Sequence, residues 1–165
     1  SYSENMGALP STQHAGYLLR TSPDWDYLRA LRDGWDGKLV VKGVLNDIDA
    51  ARLTDEGIDA IWVSNHAGRQ FAAAPASASV LPAIRAATTL PVICDSGVEG
   101  GLDILRLLAL GADFVMLGRA FHYGLGALGD GSAAHVVDIL RQDMIANMGQ
   151  IGARTLSDVP KTLIS

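Results

Sequence analysis

The sequence predicts an α/β fold built on a parallel sheet. Short apolar runs alternate along the chain with segments of helical periodicity, which is the pattern of successive right-handed β-α-β units. Five residues also recur 54 positions later without a gap, as a duplicated β-α-β unit would require. The first set is Gly43, Val44, Asp49, Gly57 and Asp59, and the second is Gly97, Val98, Asp103, Gly111 and Asp113.

The elements follow in chain order. Residues 1–22 are rich in Gly, Pro, Ser and Thr without a steady period, which predicts an irregular loop or lid before a domain of residues 23–165. A helix is predicted after it, with Ser22 as cap and Pro23 as the first helical residue. Strands are predicted over 39–41, 60–63, 91–94 and 113–117, and further helices over 47–56, 80–87, 102–110 and 133–148. Such a chain fits a small open sheet or half of an eight-stranded barrel, since a full barrel needs about 250 residues.

Composition limits the function. The 165 residues are 48% hydrophobic and 19% charged, which is typical of one globular domain. A net charge of −5 without a basic block argues against nucleic acid as a partner. The single Cys94 excludes an internal disulfide framework and a cysteine-based zinc site, and no metal site is expected. Because no apolar run approaches about 18 residues, we expect a cytoplasmic protein, with peripheral contact to the inner membrane left open.

Polar residues follow each predicted strand. Lys42 ends the first strand, Ser64 to Arg69 the second, Asp95-Ser96-Gly97 the third and Gly118-Arg119 the fourth. Parallel strands bring such ends to one edge of the sheet, where α/β proteins have their active sites. We therefore expect one site with cations, an imidazole and two glycine turns.

Each of these residues also has an ordinary structural interpretation. His66 alone is more often a hydrogen-bonding residue than a catalytic one, but Arg69 and Lys42 nearby favour catalysis. Lys42 could extend its ammonium to solvent at the sheet edge, although a lysine directly after an apolar run is costly unless an anion meets it. Gly97 and Gly118 are either simple tight turns or, with Arg119, a phosphate site. The other histidines have no such neighbours in the sequence and are interpreted as incidental.

Several strings together resemble one family. They are Val40-Val41-Lys42-Gly43-Val44, Ser64-Asn65-His66-Ala67-Gly68-Arg69-Gln70, Asp95-Ser96-Gly97-Val98, Ala109-Leu110-Gly111-Ala112-Asp113 and Leu117-Gly118-Arg119-Ala120. Over residues 24–159 the chain resembles the C-terminal half of the FMN-dependent α-hydroxy acid oxidases and dehydrogenases, which include glycolate oxidase, L-lactate dehydrogenase and mandelate dehydrogenase. The resemblance implies a (β/α)8 TIM barrel of which this chain supplies about the last four β/α units.

The resemblance also implies a role for each matching residue. His66 corresponds to the base that takes a proton from the substrate, and Arg69 to the residue that holds its carboxylate. Lys42 corresponds to the lysine beside the flavin N1 and C2 carbonyl, and Ser64 to a flavin-ring contact. The implied reaction is oxidation of an (S)-2-hydroxy acid to a 2-oxo acid with reduction of FMN. The segments that correspond to those holding the FMN ribityl chain and phosphate are Asp95, Ser96, Gly97, Val98 and Glu99, together with Gly118 and Arg119.

The chain departs from the family pattern at three points. Ala67 stands where the family has glycine after the histidine, so its methyl group is expected to strain the turn. Glu99 stands where the family has arginine, and a carboxylate there would repel a phosphate. The first four strands of the barrel, with their flavin contacts, do not match any part of the chain.

Two explanations of the missing half remain open. The first four strands belong to a separate chain or segment, which we favour because the open core face of a half barrel would aggregate, or two identical half barrels associate. The complete barrel is expected to form a homo-oligomer. The alternative functions are a half-barrel remnant that is non-catalytic or binds only FMN or phosphate, and another FMN or phosphate-binding barrel enzyme related to IMP dehydrogenase or isopentenyl diphosphate isomerase.

Overall fold

A computed structural model describes residues 23–163 of the chain. The described residues fall into two compact units, which divide between Asp36 and Gly37. The first unit contains helix α1 (Trp25–Gly34), which begins after Asp24 because the Asp24 carboxylate accepts a hydrogen bond of 2.9 Å from the Tyr27 amide. Asp24 therefore has the capping role predicted for Ser22, and Pro23 precedes the cap. Ser22 and the loop predicted over residues 1–22 lie outside the described residues.

The second unit is a parallel sheet with helical crossovers. Its strands lie in the order β1-β2-β3-β4, and every neighbouring pair is parallel. The strands are β1 (Val40–Val44), β2 (Ala60–Val63), β3 (Val92–Cys94) and β4 (Phe114–Val115), and the crossovers contain α2 (Asp47–Asp55), α3 (Ser77–Ala87) and α4 (Gly101–Ala109). The predicted strands and helices are thus confirmed, with boundaries shifted by up to three residues.

Three further helices follow the sheet, α5 (Arg119–Leu128), α6 (Ser132–Gln150) and α7 (Val159–Leu163). Helix α5 was not predicted, because Gly124 and Gly126 lower its helical propensity. Gly124 is required for packing, since a Cβ atom there would lie 2.5 Å from the Val136 side chain of α6. In residues 23–163, none of the helices combines the length and apolarity that a membrane span requires.

The sequence repeat is a structural repeat. Asp59 precedes β2, and its carboxylate accepts a hydrogen bond of 2.8 Å from the amide of Leu39, the residue directly before β1. Asp113 precedes β4, and its carboxylate accepts a bond of the same length from the Val92 amide of β3. In both copies of the repeat, an aspartate therefore connects the beginning of one strand to the beginning of the neighbouring strand.

The two faces of the sheet differ in burial. Ile61, Val63, Val92 and Cys94 are fully buried. The alternate positions form a row across the sheet, because Lys42 pairs with Trp62, Trp62 with Ile93, and Ile93 with Phe114. This second face is partly open, and Phe114 is 60% exposed. Side chains alternate between faces along a strand, so Lys42 and Trp62 lie side by side on the open face.

The beginning of α4 is fixed by α6. The Asp143 carboxylate of α6 accepts hydrogen bonds from the amides of Gly101 (2.5 Å) and Leu102 (3.3 Å). The helices are so close there that a Cβ atom at residue 101 would lie 2.5 Å from the Met144 backbone nitrogen. Because α4 directly follows residues 95–99, this contact anchors one side of the site described below.

Candidate active site

A cavity of about 340 Å³ lies where the four strands end. It is lined by residues from all four strand ends, as the sequence predicted. Of the candidate residues, the lining contains Lys42, His66, Arg69, Asp95, Ser96, Gly97, Val98, Gly118 and Arg119. Ser64 and Glu99 are not among the lining residues. Ser64 lies below the surface with 3% of its area exposed, and Glu99 projects outward with 78% of its side chain exposed.

The turn after β2 presents His66 in an unusual backbone conformation. His66 (φ 54°), Ala67 (φ 55°) and Gly68 (φ 70°) are all left-handed, a region that costs non-glycine residues about 1–2 kcal/mol each. The amide of His66 donates to the Ser64 hydroxyl over 3.2 Å, and the amide of Ala67 donates to the Ser96 hydroxyl over 3.0 Å. The buried hydroxyl of Ser64 thus supports the turn that carries His66, and Ala67 occupies a conformation that suits glycine better.

Lys42 has an anionic partner within the chain. Its ammonium lies 3.4 Å from the Asp95 carboxylate and 4.4 Å from the centre of the Trp62 ring. The other oxygen of Asp95 accepts a hydrogen bond of 2.8 Å from the Ser96 hydroxyl. Asp95 therefore supplies the negative charge that we expect beside a lysine directly after an apolar strand.

Two backbone turns also border the cavity. Ser96 and Gly97 both have φ 79°, and Gly118 opens helix α5 without a side-chain cap. A Cβ atom on Gly97 or Gly118 would meet nothing within 4 Å, so these positions leave open space at the edge. The first amides of α5 together with the Arg119 guanidinium form a donor set suited to an anion.

Glu99 reduces the positive charge of that donor set. Its carboxylate lies 4.0 Å from the Arg119 guanidinium, and the Arg119 side chain is 50% exposed. An exposed pair at this separation is weak, so the carboxylate can leave the guanidinium when another anion arrives.

Cys94, directly before this site, is inert. Its side chain is fully buried, and burial, followed by the nearby Asp95 charge, raises the pKa of the thiol to about 12. The residue therefore packs as a small apolar side chain.

The lining also includes residues that had not been predicted as site residues, among them His122 and Trp62. His122 lines the cavity although it was interpreted as incidental, and its position three residues after Arg119 on α5 is the signal that could have identified it. Trp62 also lines the cavity. Trp62 lies within the apolar run of residues 60–63, from which the sequence predicts a strand and no site residue.

Comparisons with known proteins identify the family. A model of the FMN-dependent dehydrogenase family matches residues 2–165. The L-lactate dehydrogenase of Acinetobacter baylyi is 42% identical over 145 residues, which are 87% of this chain and 38% of that protein. The L-lactate dehydrogenase of Bartonella tribocorum is 44% identical over 137 residues, which are 82% of this chain and 36% of that protein.

Solved structures agree with these matches. A soluble mutant of the membrane-associated (S)-mandelate dehydrogenase from Pseudomonas putida superposes with a TM-score of 0.83 at 37% identity, over 98% of this chain and 48% of that one. A mandelate oxidase complex with (S)-2-phenylpropionate gives a TM-score of 0.78 at 33% identity, over 84% of this chain and 42% of that one. The chain thus spans less than half the length of these relatives, and its four β/α units are part of a (β/α)8 barrel. The chain belongs to the family of FMN-dependent dehydrogenases.

Proposed function

We propose that this chain is the C-terminal half of an enzyme that oxidises an (S)-2-hydroxy acid of the lactate, glycolate or mandelate type to the 2-oxo acid with FMN. The observation that supports this most strongly is the cavity shared by His66, Arg69 and Lys42 at the strand ends. An imidazole can take a proton near neutral pH, and a guanidinium can hold a carboxylate through two hydrogen bonds.

The donor set of the cavity fits FMN. Arg119 and the first amides of α5 would hold the phosphate, and Asp95 to Val98 would border the ribityl chain. Lys42 would lie beside the flavin ring, where a fixed cation stabilises negative charge. When bound, FMN accepts the two electrons that leave the substrate. The Glu99 carboxylate, 4.0 Å from the Arg119 guanidinium, carries a charge that opposes a phosphate there.

His66 and Arg69 have different roles toward the substrate. We assign to Arg69 the substrate carboxylate, which fixes the orientation of the α-carbon. We assign to His66 the proton released by the substrate, and the Ser64 hydroxyl orients the turn that carries this base through the His66 amide. The geometry of the turn then determines the distance between base and substrate, to which rates are sensitive.

The same proposal includes a partner. The open face of the sheet bears Phe114 and Met116, which are 60% and 36% exposed, and a barrel would cover this face with its first four strands. We propose that an N-terminal half barrel, as another segment or a separate chain, supplies those strands, and that the complete barrel forms a homo-oligomer. A peripheral position on the cytoplasmic face of the inner membrane is proposed by analogy with the membrane-associated relative.

The composition of the purified protein tests the partner. Intact mass spectrometry combined with an ultraviolet–visible spectrum should detect additional polypeptide together with flavin absorbance. A homogeneous and colourless 17.4 kDa species would contradict a completed flavin site.

The reaction is tested by anaerobic mixing of the FMN-loaded protein with a panel of (S)- and (R)-2-hydroxy acids. Loss of the flavin absorbance with the (S)-acids alone is expected, and the fastest acid identifies the substrate. Repeating the panel in oxygen separates an oxidase from a dehydrogenase.

A second candidate function is a non-catalytic remnant. The ion pair between Glu99 and Arg119 and the left-handed Ala67 favour it, because both weaken a site that the family uses. A protein that binds FMN but leaves it oxidised with every acid in the panel would support this alternative.

A further inference from the structure

The Lys42 ammonium lies 4.4 Å from the centre of the Trp62 ring. This separation is within the range in which a cation is attracted to the face of an indole. The indole nitrogen is buried and has no hydrogen-bond partner among the described residues. The edge of the ring is therefore held inside the protein while its face is presented to Lys42.

The strand register makes this contact. Lys42 pairs with Trp62 across β1 and β2, and the register shifts between Lys42 and Val44. Gly43 occupies the irregularity with φ 95°, a conformation that other residues rarely adopt. Regular pairing places Lys42 on the open face beside Trp62, and the bulge that follows lets Val44 turn to the buried face opposite Val63.

We propose that Trp62 is a positioning residue that holds the Lys42 ammonium at the edge of the cavity. The ring and the Asp95 carboxylate, 3.4 Å away, contact the ammonium together. A lysine side chain has several rotatable bonds and loses much freedom when it is fixed. Two partners within the chain fix it in advance, so that less rearrangement is needed when negative charge develops beside it.

The contact itself can be tested without flavin. The chain contains three lysines, Lys38, Lys42 and Lys161, so ¹³C-lysine labelling gives a spectrum that is simple to assign. The methylene protons of Lys42 should be shifted upfield by the ring current of Trp62, and those of Lys38 and Lys161 should not. Trp62→Leu should abolish the shift. A Lys42 spectrum that is unchanged in Trp62→Leu would overturn the proposal.

Two control variants distinguish loss of the contact between Lys42 and Trp62 from a general change in the structure. Trp62→Phe keeps an aromatic face and should retain a reduced shift, which also provides a readout if the leucine variant does not fold. Phe114→Leu changes an aromatic residue on the same open face, in the strand furthest from β1, and should leave the Lys42 spectrum unchanged.

The consequence for the flavin rests on the proposed function. Sulfite adds to flavins and leaves negative charge on the ring, so its dissociation constant in the FMN-loaded protein reports the cation beside the ring. Trp62→Leu should raise this constant about three- to tenfold, the range of a cation–π contact. In a Lys42→Gln background the same substitution should have no further effect.

The two sets of outcomes are distinguishable. An equal effect of Trp62→Leu with and without Lys42 would show that Trp62 acts on the flavin by another route and would overturn its role as a positioning residue. A wild-type protein that binds no FMN would contradict the proposed function, while the lysine spectrum would still decide whether Trp62 holds Lys42.

Discussion

The backbone amide of Ala67 donates a hydrogen bond of 3.0 Å to the Ser96 hydroxyl. The same hydroxyl donates to Asp95 over 2.8 Å, and Asp95 pairs with Lys42 over 3.4 Å. The turn that presents the candidate base and the lysine assigned to the flavin therefore belong to one polar network. A substitution at the turn is expected to affect both.

Ala67→Gly should stabilise the protein. The left-handed conformation at φ 55° costs alanine about 1–2 kcal/mol, and the greater freedom of glycine in the unfolded chain offsets about 0.4–1 kcal/mol of the gain. A net increase of about 0.5–1 kcal/mol in the free energy of unfolding is expected in urea titrations. The control Ala51→Gly, at an exposed position of α2, should lose about 1 kcal/mol. Equal losses in both variants would show that Ala67 is not strained.

Glu99→Gln should tighten FMN binding by about threefold to tenfold, because it removes a carboxylate beside the guanidinium assigned to the phosphate. The free energy of unfolding should change by less than about 1 kcal/mol, since the pair is exposed. Fluorescence titration with FMN measures the affinity, and the gain should shrink at high salt. Glu56→Gln, which removes a carboxylate paired with Arg52 at the end of α2, is the control for net charge. The same FMN affinity in Glu99→Gln and wild type would mean that Glu99 does not face the phosphate.

Cys94 gives a pH dependence of stability. Its pKa is raised from 9.0 to about 12 in the folded protein, so the folded state keeps a proton that the unfolded state loses. This contribution is fully present below pH 9.0 and is lost as the pH rises from there towards about 12. Urea titrations between pH 8 and pH 11 should show a decline in wild type that is smaller in Cys94→Ala. Iodoacetamide should leave the folded thiol unmodified at pH 8, and rapid alkylation would contradict its burial.

The strands and the grouping of the site could be predicted from the sequence, because apolar runs and the residues that follow them are local features. The sequence repeat indicated the parallel order of the strands. Its physical basis is the hydrogen bond that Asp59 and Asp113 each accept from the beginning of a neighbouring strand. Helix α5 could not be predicted, since Gly124 and Gly126 lower its helical propensity and only the fold shows that Gly124 lies against Val136 of α6. The contact of Lys42 with Trp62 depends on the register of β1 and β2, and the bond between Ala67 and Ser96 joins residues that only the fold brings together.

The role of His66 is the central claim, and anaerobic stopped-flow measurement of flavin reduction tests it most directly. The FMN-loaded wild type, His66→Ala and His135→Ala are each mixed with the best (S)-2-hydroxy acid, His135 being an exposed residue of α6. We expect His66→Ala to retain FMN and to reduce it at least about 100-fold more slowly, the usual contribution of a general base, while His135→Ala matches wild type. Flavin reduction at the wild-type rate in His66→Ala would contradict the assignment of His66 as the base.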